Sequence, residues 1–225
     1  MRLYVMDYEI KYQPAFSTIF VTLEPGDTIV AEAGAMASMD SQISIETKLS
    51  GGLFPALAKK FFGGESLFIN VFTNKTSQNL NLVLTQPVVG DIAEIEVQGK
   101  EVFLQPGAYI ASTSGIKMGL RWAGFASWLS GEGLFKLCMN GRGRVFFGAY
   151  GGITKKAING EFVVDTGHLV AYEPGISMKV QFSNGIIGSL TSGEGLVNRL
   201  SGRGNIYLQS RSIGGLVGFL RTKIR

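Results

Sequence analysis

The sequence has only one cysteine and one histidine among its 225 residues. The single cysteine, Cys138, excludes an intrachain disulfide framework and a cysteine-rich metal site, and it indicates a reducing compartment. Cys138 lies in an apolar stretch, as buried structural cysteines do. His168 follows Gly167 at an expected turn, so we interpret it as a partly exposed turn residue rather than a general base. We therefore expect no enzyme activity, no metal and no cofactor.

Long apolar runs are missing as well. No stretch approaches the roughly 18 apolar residues that span a bilayer, and the N-terminus lacks the basic and apolar regions of a secretory signal. We therefore expect a cytoplasmic protein that is at most peripheral to a membrane.

Prolines are few, with six in the chain, whereas glycine and phenylalanine are abundant at 31 and 15 residues. This composition favours many short strands joined by glycine-dependent turns. The length is compatible with one large β domain or two small ones. We predict a single all-β domain over residues 1–225.

One pattern occurs three times along the chain. Each copy places a turn glycine three residues after a Leu or Val, at Gly26, Gly107 and Gly167. A second glycine follows eight residues later, at Gly34, Gly115 and Gly175. The pattern predicts three structural repeats, approximately residues 1–95, 96–153 and 154–225. Because one such module cannot bury its apolar face alone, we expect the three to pack around a pseudo-threefold axis.

The second half of each repeat begins with Gly-Glu, and the glutamates are Glu65, Glu132 and Glu194. We interpret them as acceptors for backbone N–H groups of their own loops. The alternative is a pseudo-symmetric carboxylate cluster that binds a small ligand or performs acid and base chemistry. A Gly-Arg-Gly element follows in the last two copies, and it supplies the candidate anion or nucleic-acid contacts Arg142, Arg144 and Arg203.

In residues 53–62 apolar residues recur every four positions and two lysines lie opposite them. This spacing predicts a short amphipathic helix inserted in the first repeat. Residues 120–129 look like its counterpart in the second repeat, and residues 213–220 form an apolar run before a basic C-terminus. Such segments suit a membrane surface or a protein partner, whereas the alternative is that they cover the β core or a neighbouring subunit. The candidate contact residues are Phe54, Leu57, Lys59, Lys60, Phe61, Arg121, Trp122, Phe125, Trp128, Phe219, Arg221 and Lys223.

Positive charge is concentrated at the C-terminal end of the chain. The net charge is +4, and the sequence after Glu194 holds six cations and no acid. This distribution favours an anionic partner, such as nucleic acid, lipid headgroups or an acidic protein, although a solvated basic face has the same pattern.

The three glycine elements, together with the Gly-Glu-Gly-Leu-Phe and Gly-Arg-Gly loops, resemble the altered-inheritance-of-mitochondria family over residues 3–212. The resemblance implies a fold like that of the tryptophan RNA-binding attenuation protein, a short double-stranded β-helix or sandwich, here with short helical insertions. It also implies a homotrimer in which three chains of three repeats imitate a nine-unit ring. The family has no established biochemical activity in prokaryotes, and its mitochondrial members are linked to organisation of the inner membrane.

Three functional hypotheses follow. The leading one is a non-enzymatic oligomeric scaffold that contacts a membrane surface or a protein partner. The second is an RNA-binding ring, motivated by the implied fold and the arginine loops. The third is a small-ligand binder or enzyme built around the three repeat glutamates.

Overall fold

The fold is all-β, as the composition predicts. In a computed structural model of the chain, the structure describes residues 6–49, 68–105, 107–122, 135–182 and 196–224. Within these ranges the chain forms β-strands, one short 3-10 turn and one α-helix.

Strands occupy most of the described chain. The first group is β1 (Asp7–Lys11), β2 (Thr18–Leu23), β3 (Thr28–Glu32), β4 (Met36–Met39), β5 (Ser44–Leu49), β6 (Phe68–Thr73) and β7 (Leu80–Leu84). The second group is β8 (Ile92–Gln98), β9 (Val102–Leu104), β10 (Tyr109–Thr113), β11 (Ile116–Trp122) and β12 (Phe135–Gly148). The last group is β13 (Ile153–Asp165), the 3-10 turn Thr166–His168, β14 (Leu169–Tyr172), β15 (Ile176–Phe182), β16 (Leu196–Gln209) and helix α1 (Ile213–Arg221).

The strands form two antiparallel sheets. A four-stranded sheet has the order β1-β2-β7-β4, and a twelve-stranded sheet follows the path β13-β16-β14-β9-β12-β10-β3-β6-β5. Strands β8 and β11 also pair with β12, and β15 pairs with β16. Two isolated parallel bridges, from Phe16 to Gly90 and from Gly90 to Gly151, join the segments that lead into β2, β8 and β13.

The buried apolar residues of the two sheets form three clusters. The first includes Ile19, Leu82 and Phe146, the second includes Leu137 and Phe147, and the third includes Leu200 and Ile206. Burial in β2 alternates strictly along the strand, which is the period expected where one sheet face meets the core.

Three antiparallel strand pairs, β5 with β6, β11 with β12 and β15 with β16, enclose the sequence segments outside the described residues. The predicted helix in residues 53–62 lies outside the described residues. The helix predicted for residues 120–129 is wrong at its start, because Leu120, Arg121 and Trp122 belong to β11 and pair with β12. Apolar and polar residues alternate along β11 with a period of two, and this pattern together with the partner strand decides the backbone.

Two of the three repeat turns adopt the left-handed backbone that glycine favours. Gly26 has φ +88° and Gly107 has φ +82°, and an added Cβ would meet open space at both. Gly167 is different: its backbone is not left-handed, but an added Cβ would lie 2.9 Å from Cβ of Ser212, which precedes helix α1. Gly26 and Gly107 therefore serve a left-handed turn, whereas Gly167 leaves space for Ser212.

We expect Gly26→Ala and Gly107→Ala each to lower the free energy of unfolding by about 1 kcal/mol, because the added Cβ strains a left-handed backbone without a clash. Chemical denaturation measures this loss. Gly214→Ala is the control, since Gly214 lies in helix α1 with open space around it and alanine favours a helix. An unchanged stability in both turn variants would contradict the prediction.

Candidate functional site

Helix α1 is the most exposed apolar element of the described chain. It begins after Ser212, whose hydroxyl oxygen accepts a hydrogen bond of 3.1 Å from the Gly215 N–H. None of its residues is buried. The exposed apolar side chains in and after the helix are Ile213, Leu216, Val217, Phe219, Leu220 and Ile224. Leaving such a surface in water is unfavourable, so we treat it as the candidate contact site.

Basic residues complete this surface at the C-terminal end of the helix. Arg221 lies in the last helical turn, and Lys223 follows with its ammonium nitrogen 5.8 Å from the centre of the Phe219 ring. Cations at this end interact favourably with the helix dipole. The predicted contact residues Phe219, Arg221 and Lys223 are all exposed, and Lys223 lies over the Phe219 ring.

Two further exposed apolar residues lie in segments that backbone contacts link to the residues before helix α1. Phe16 is 68% exposed and Val89 is 55% exposed. Phe16 bridges to Gly90, Gly90 bridges to Gly151, and the Arg211 N–H donates to the Tyr150 carbonyl at 3.3 Å. We call helix α1 together with Phe16, Val89 and Arg211 the α1 end. The sequence pattern does not identify Phe16 or Val89, because their segments are linked to the residues before helix α1 only by these bridges and hydrogen bonds.

The two Gly-Arg-Gly elements, predicted as loops, lie within strands β12 and β16 because neighbouring strands pair along them. They have matching geometry. An added Cβ at Gly141 would lie 2.2 Å from the Gly115 carbonyl oxygen, and one at Gly202 would lie 2.0 Å from that of Gly175. The N–H groups of Arg142 and Arg203 donate to these same two carbonyls, at 3.2 Å and 3.3 Å. The glycines flanking each arginine thus let two strands approach closely. Both arginine side chains are exposed.

Arg144, the third predicted anion contact, is engaged within the chain. Its guanidinium lies 2.7 Å from the Glu94 carboxylate and 2.8 Å from the Tyr8 hydroxyl, and the Tyr8 hydroxyl also donates to Glu94. The Tyr8 ring packs edge-on against Phe146 at 4.9 Å. These contacts fasten β1 to β8 and β12. The sequence offered no signal for this cluster, because Tyr8 and Arg144 are 136 positions apart.

Burial and the neighbouring Glu94 carboxylate raise the pKa of Tyr8 from 10.0 to about 12. A raised folded-state pKa means that folding favours the protonated form, so this stabilisation is complete below pH 10 and is lost as the pH rises through about 12. We expect the free energy of unfolding to fall over that window, and Tyr8→Phe to reduce the fall. Burial also raises the pKa of Tyr109 and Tyr172, so part of the pH dependence remains in the variant.

Chemical denaturation at each pH measures the free energy of unfolding, and the ultraviolet absorbance of tyrosinate measures the ionisation of the tyrosines. The same pH dependence in the wild type and in Tyr8→Phe would contradict the assignment to Tyr8.

Arg121, a predicted surface contact, pairs with Glu101 at 2.8 Å. The hydrogen bond from Arg121 lowers the pKa of Glu101, and burial raises the pKa of the nearby Cys138 thiol. A buried thiol with a raised pKa is a poor nucleophile, which agrees with a structural role for Cys138. Beside it, the Lys136 ammonium donates to the Tyr172 hydroxyl and lies 5.0 Å from the centre of the Phe103 ring.

His168 lies in the 3-10 turn, partly exposed, as the sequence predicts. Its Nδ1 donates to the Gln209 carbonyl at 2.8 Å, which holds the ring against the end of β16. Among the described residues, no three His, Cys, Asp or Glu side chains are grouped where they could hold a metal ion. No helix in the described ranges is long and apolar enough to cross a membrane.

Several predicted site residues lie outside the described residues. They are Phe54, Leu57, Lys59, Lys60, Phe61, Phe125 and Trp128, the side chain of Trp122, and the repeat glutamates Glu65, Glu132 and Glu194. The structure therefore groups the C-terminal contact residues with one another, and it leaves the other predicted contacts and the glutamate cluster as predictions.

Comparison with other proteins gives relatives along almost the whole chain. An uncharacterized protein of Streptococcus pyogenes serotype M6 is 28% identical over 225 residues, covering 96% of this chain and 90% of that protein. A crystal structure of a Streptococcus pyogenes protein superposes with a TM-score of 0.80 at 26% identity, covering 97% of this chain and all of the other. A model of the family described as Mitochondrial biogenesis AIM24 matches residues 8–211. On this match, which includes both Gly-Arg-Gly elements and all three turn glycines, the chain belongs to the Mitochondrial biogenesis AIM24 family.

Proposed function

We propose that this chain is a non-enzymatic oligomeric scaffold of the cytoplasm that docks on an anionic membrane surface through helix α1. The observation that carries the proposal is the helix itself, in which apolar side chains are exposed and basic residues follow. A short apolar helix that ends in basic residues suits the boundary between acyl chains and anionic headgroups.

The expected energies are sufficient for reversible attachment. Each Leu or Phe side chain that leaves water contributes about 1.5–3 kcal/mol. Each basic residue near an anionic surface contributes about 1 kcal/mol. Phe219, Leu216 and Leu220 supply the first contribution, and Arg221 and Lys223 supply the second. Phe16 and Val89 would extend the apolar contact beside the helix.

The sheet edges support the oligomeric part of the proposal. Among the described strands, β5 pairs only with β6, and β13 pairs only with β16, so each end of the twelve-stranded path has an open edge. Open edges favour pairing with another chain, and a head-to-tail contact that repeats by rotation closes a ring. A homotrimer closed in this way would match the expectation from the family resemblance.

Two features support the finer description of the fold as three repeats in a double-stranded β-helix. The antiparallel pairs β5–β6, β11–β12 and β15–β16 occur once in each proposed repeat. The close contacts of Gly141 with Gly115 and of Gly202 with Gly175 are equivalent in the second and third repeats.

Vesicle flotation of the full chain tests the membrane proposal. We expect the protein to float with vesicles that contain phosphatidylglycerol, to remain behind with phosphatidylcholine alone, and to be released partly by high salt because salt screens the basic residues. Failure to float with either vesicle would overturn the membrane proposal and would assign helix α1 to a protein contact. Native mass spectrometry tests the assembly, and a monomer would overturn the trimer.

The exposed Arg142 and Arg203 favour one alternative, an RNA-binding ring. In that case the full chain would bind single-stranded RNA with an affinity that falls steeply as salt rises, and replacing both arginines with glutamine would reduce the salt dependence. Binding that is absent at low salt would remove this alternative.

A further inference from the structure

Two positively charged residues lie directly opposite each other on strands β15 and β16. Lys179 is paired with Arg199 in the antiparallel register, and both residues are exposed. Residues paired in this way have Cβ atoms about 4.5–5.5 Å apart on one face of the sheet, and like charges in this arrangement are destabilising. The fold therefore carries a repulsion that a bound anion would remove.

The neighbouring acid offsets only a small part of this charge. The Arg199 guanidinium lies 3.7 Å from the Glu161 carboxylate of β13, and the two side chains are 45% and 65% exposed. An exposed ion pair at this distance contributes little. Lys179 has no ion pair or hydrogen bond with any part of the chain that the structure describes. Its ammonium group is therefore available to a ligand.

Strand pairing does not require these two cations. The pair β11–β12 has the same register as β15–β16, because each begins with an isoleucine opposite the first glycine of a Gly-Arg-Gly element. Three positions along, the opposed residues are Gly119 and Cys138 in β11–β12, and Lys179 and Arg199 in β15–β16. The same strand arrangement thus forms with no basic residue at these positions, so the cations are free to serve binding.

Two hydroxyl groups flank the cations on the same face. Ser177 and Ser201 are opposite each other, two residues from Lys179 and Arg199, and alternate residues of a strand share a face. The Ser177 hydroxyl lies 2.7 Å from the Ser201 hydroxyl and donates to the Ser201 carbonyl at 3.2 Å. With Ser177 as the donor, the hydroxyl hydrogen of Ser201 is left to donate to a ligand.

We propose that Ser177, Lys179, Arg199 and Ser201, which we call the Lys179 site, bind the phosphate group of a soluble phosphate monoester. Such a phosphate carries a charge of about −1.5 to −2 at pH 7 and three acceptor oxygens, so two cations balance it and the hydroxyl adds a further donor. The Lys179 site is independent of membrane docking, because its ligand is soluble and its residues belong to other elements than helix α1.

Titration of the full chain with glycerol phosphate, followed by amide resonances in NMR, tests the proposal. The ionic strength is held constant with sodium chloride at about pH 7.5, where the second phosphate ionisation, with a pKa of about 6, is nearly complete. We expect saturable shifts centred on the Lys179 site. Acetate, which has a single charge, is expected to bind at least tenfold more weakly.

Lys179→Gln is expected to weaken the binding of glycerol phosphate about tenfold, because one charge-assisted contact is lost. Lys117→Gln is the matched control, since Lys117 is exposed on β11 and lies opposite the neutral Asn140. We expect it to bind like the wild type. Without phosphate and at low salt, Lys179→Gln is expected to have a higher denaturation midpoint than Lys117→Gln, because only the first change removes the repulsion between strands.

Glu161→Gln tests Arg199 without altering either cation. We expect glycerol phosphate to bind severalfold more tightly to this variant, because the guanidinium no longer has a competing carboxylate. Glu46→Gln is its control, since it makes the same change in the exposed pair with Lys48 on β5. The affinity of that variant is expected to equal that of the wild type.

Four outcomes would overturn the proposal. They are shifts that stay linear with the glycerol phosphate concentration, equal weakening by Lys179→Gln and Lys117→Gln, equal affinities of Glu161→Gln and Glu46→Gln, and a loss of vesicle flotation in Lys179→Gln alone. The last of these would assign the site to a lipid headgroup instead of a soluble ligand. The spectra of each variant without phosphate show whether it is folded, so loss of structure is distinguished from loss of the site.

Discussion

Gly90→Ala is expected to lower the free energy of unfolding by about 3 kcal/mol. An added Cβ at Gly90 would lie 1.9 Å from the Ala149 carbonyl oxygen and 2.7 Å from the Gly151 backbone nitrogen. Both neighbours are backbone atoms, so no side-chain rotation relieves the clash. The chain segments must separate, and the bridges to Phe16 and Gly151 separate with them.

Backbone hydrogen bonds make this position more sensitive than a simple steric clash. The Gly90 carbonyl accepts from Ser17 at 3.0 Å, and the Asp91 N–H donates to the Gly151 carbonyl at 2.8 Å. These two bonds connect the segments that begin β2, β8 and β13. If the chain moves at Gly90 to relieve the clash, these backbone N–H and carbonyl groups lose their hydrogen-bond partners, which adds to the cost of the clash itself.

Gly152→Ala is the matched control for Gly90→Ala. Gly152 is a near neighbour, its backbone is not left-handed, and an added Cβ would meet nothing within 4 Å. We expect its stability to stay within about 0.5 kcal/mol of the wild type. Urea denaturation of both variants makes the comparison, and similar losses at the two positions would show that the close approach at Gly90 is not what stabilises this region.

Local turn chemistry made part of the fold predictable from the sequence. The positions of Gly26 and Gly107 follow from short-range rules, because a left-handed turn needs glycine wherever its partners lie. The strand composition and the turn at His168 are equally local. The prediction for Arg121 and Trp122 is wrong for the same reason, because helical spacing is a local signal and pairing with the distant strand β12 overrides it.

The features of the candidate sites depend on contacts between distant residues, and the sequence carries no signal for those. Arg144 follows the Gly-Arg-Gly element within β12, yet its guanidinium is paired with Glu94 of β8. One cavity combines residues from β14, Gln105 after β9 and the start of helix α1, a grouping that is visible only in the folded chain. In contrast, the C-terminal segment was identifiable, because its apolar run and its basic end are adjacent in sequence.

Replacing Leu216 and Phe219 together with glutamate is expected to weaken attachment to anionic vesicles at least a hundredfold, which in flotation means essentially complete loss. The two side chains contribute about 3–6 kcal/mol on leaving water, and the new carboxylates add repulsion from the anionic lipid. Both residues are exposed and contact no core cluster, so the fold and its denaturation midpoint should not change.

Val163→Glu is the matched control for this double variant. Val163 is a 50% exposed apolar residue of β13, outside the α1 end, and it receives the same chemical change. We expect Val163→Glu to float like the wild type. A loss in both variants would mean that added negative charge alone prevents attachment, whereas attachment that persists after the double change would show that helix α1 is not the docking element. Loss only in the double variant would support helix α1 as the membrane contact, because the control makes the same apolar-to-glutamate change at a different location, with one added carboxylate instead of two.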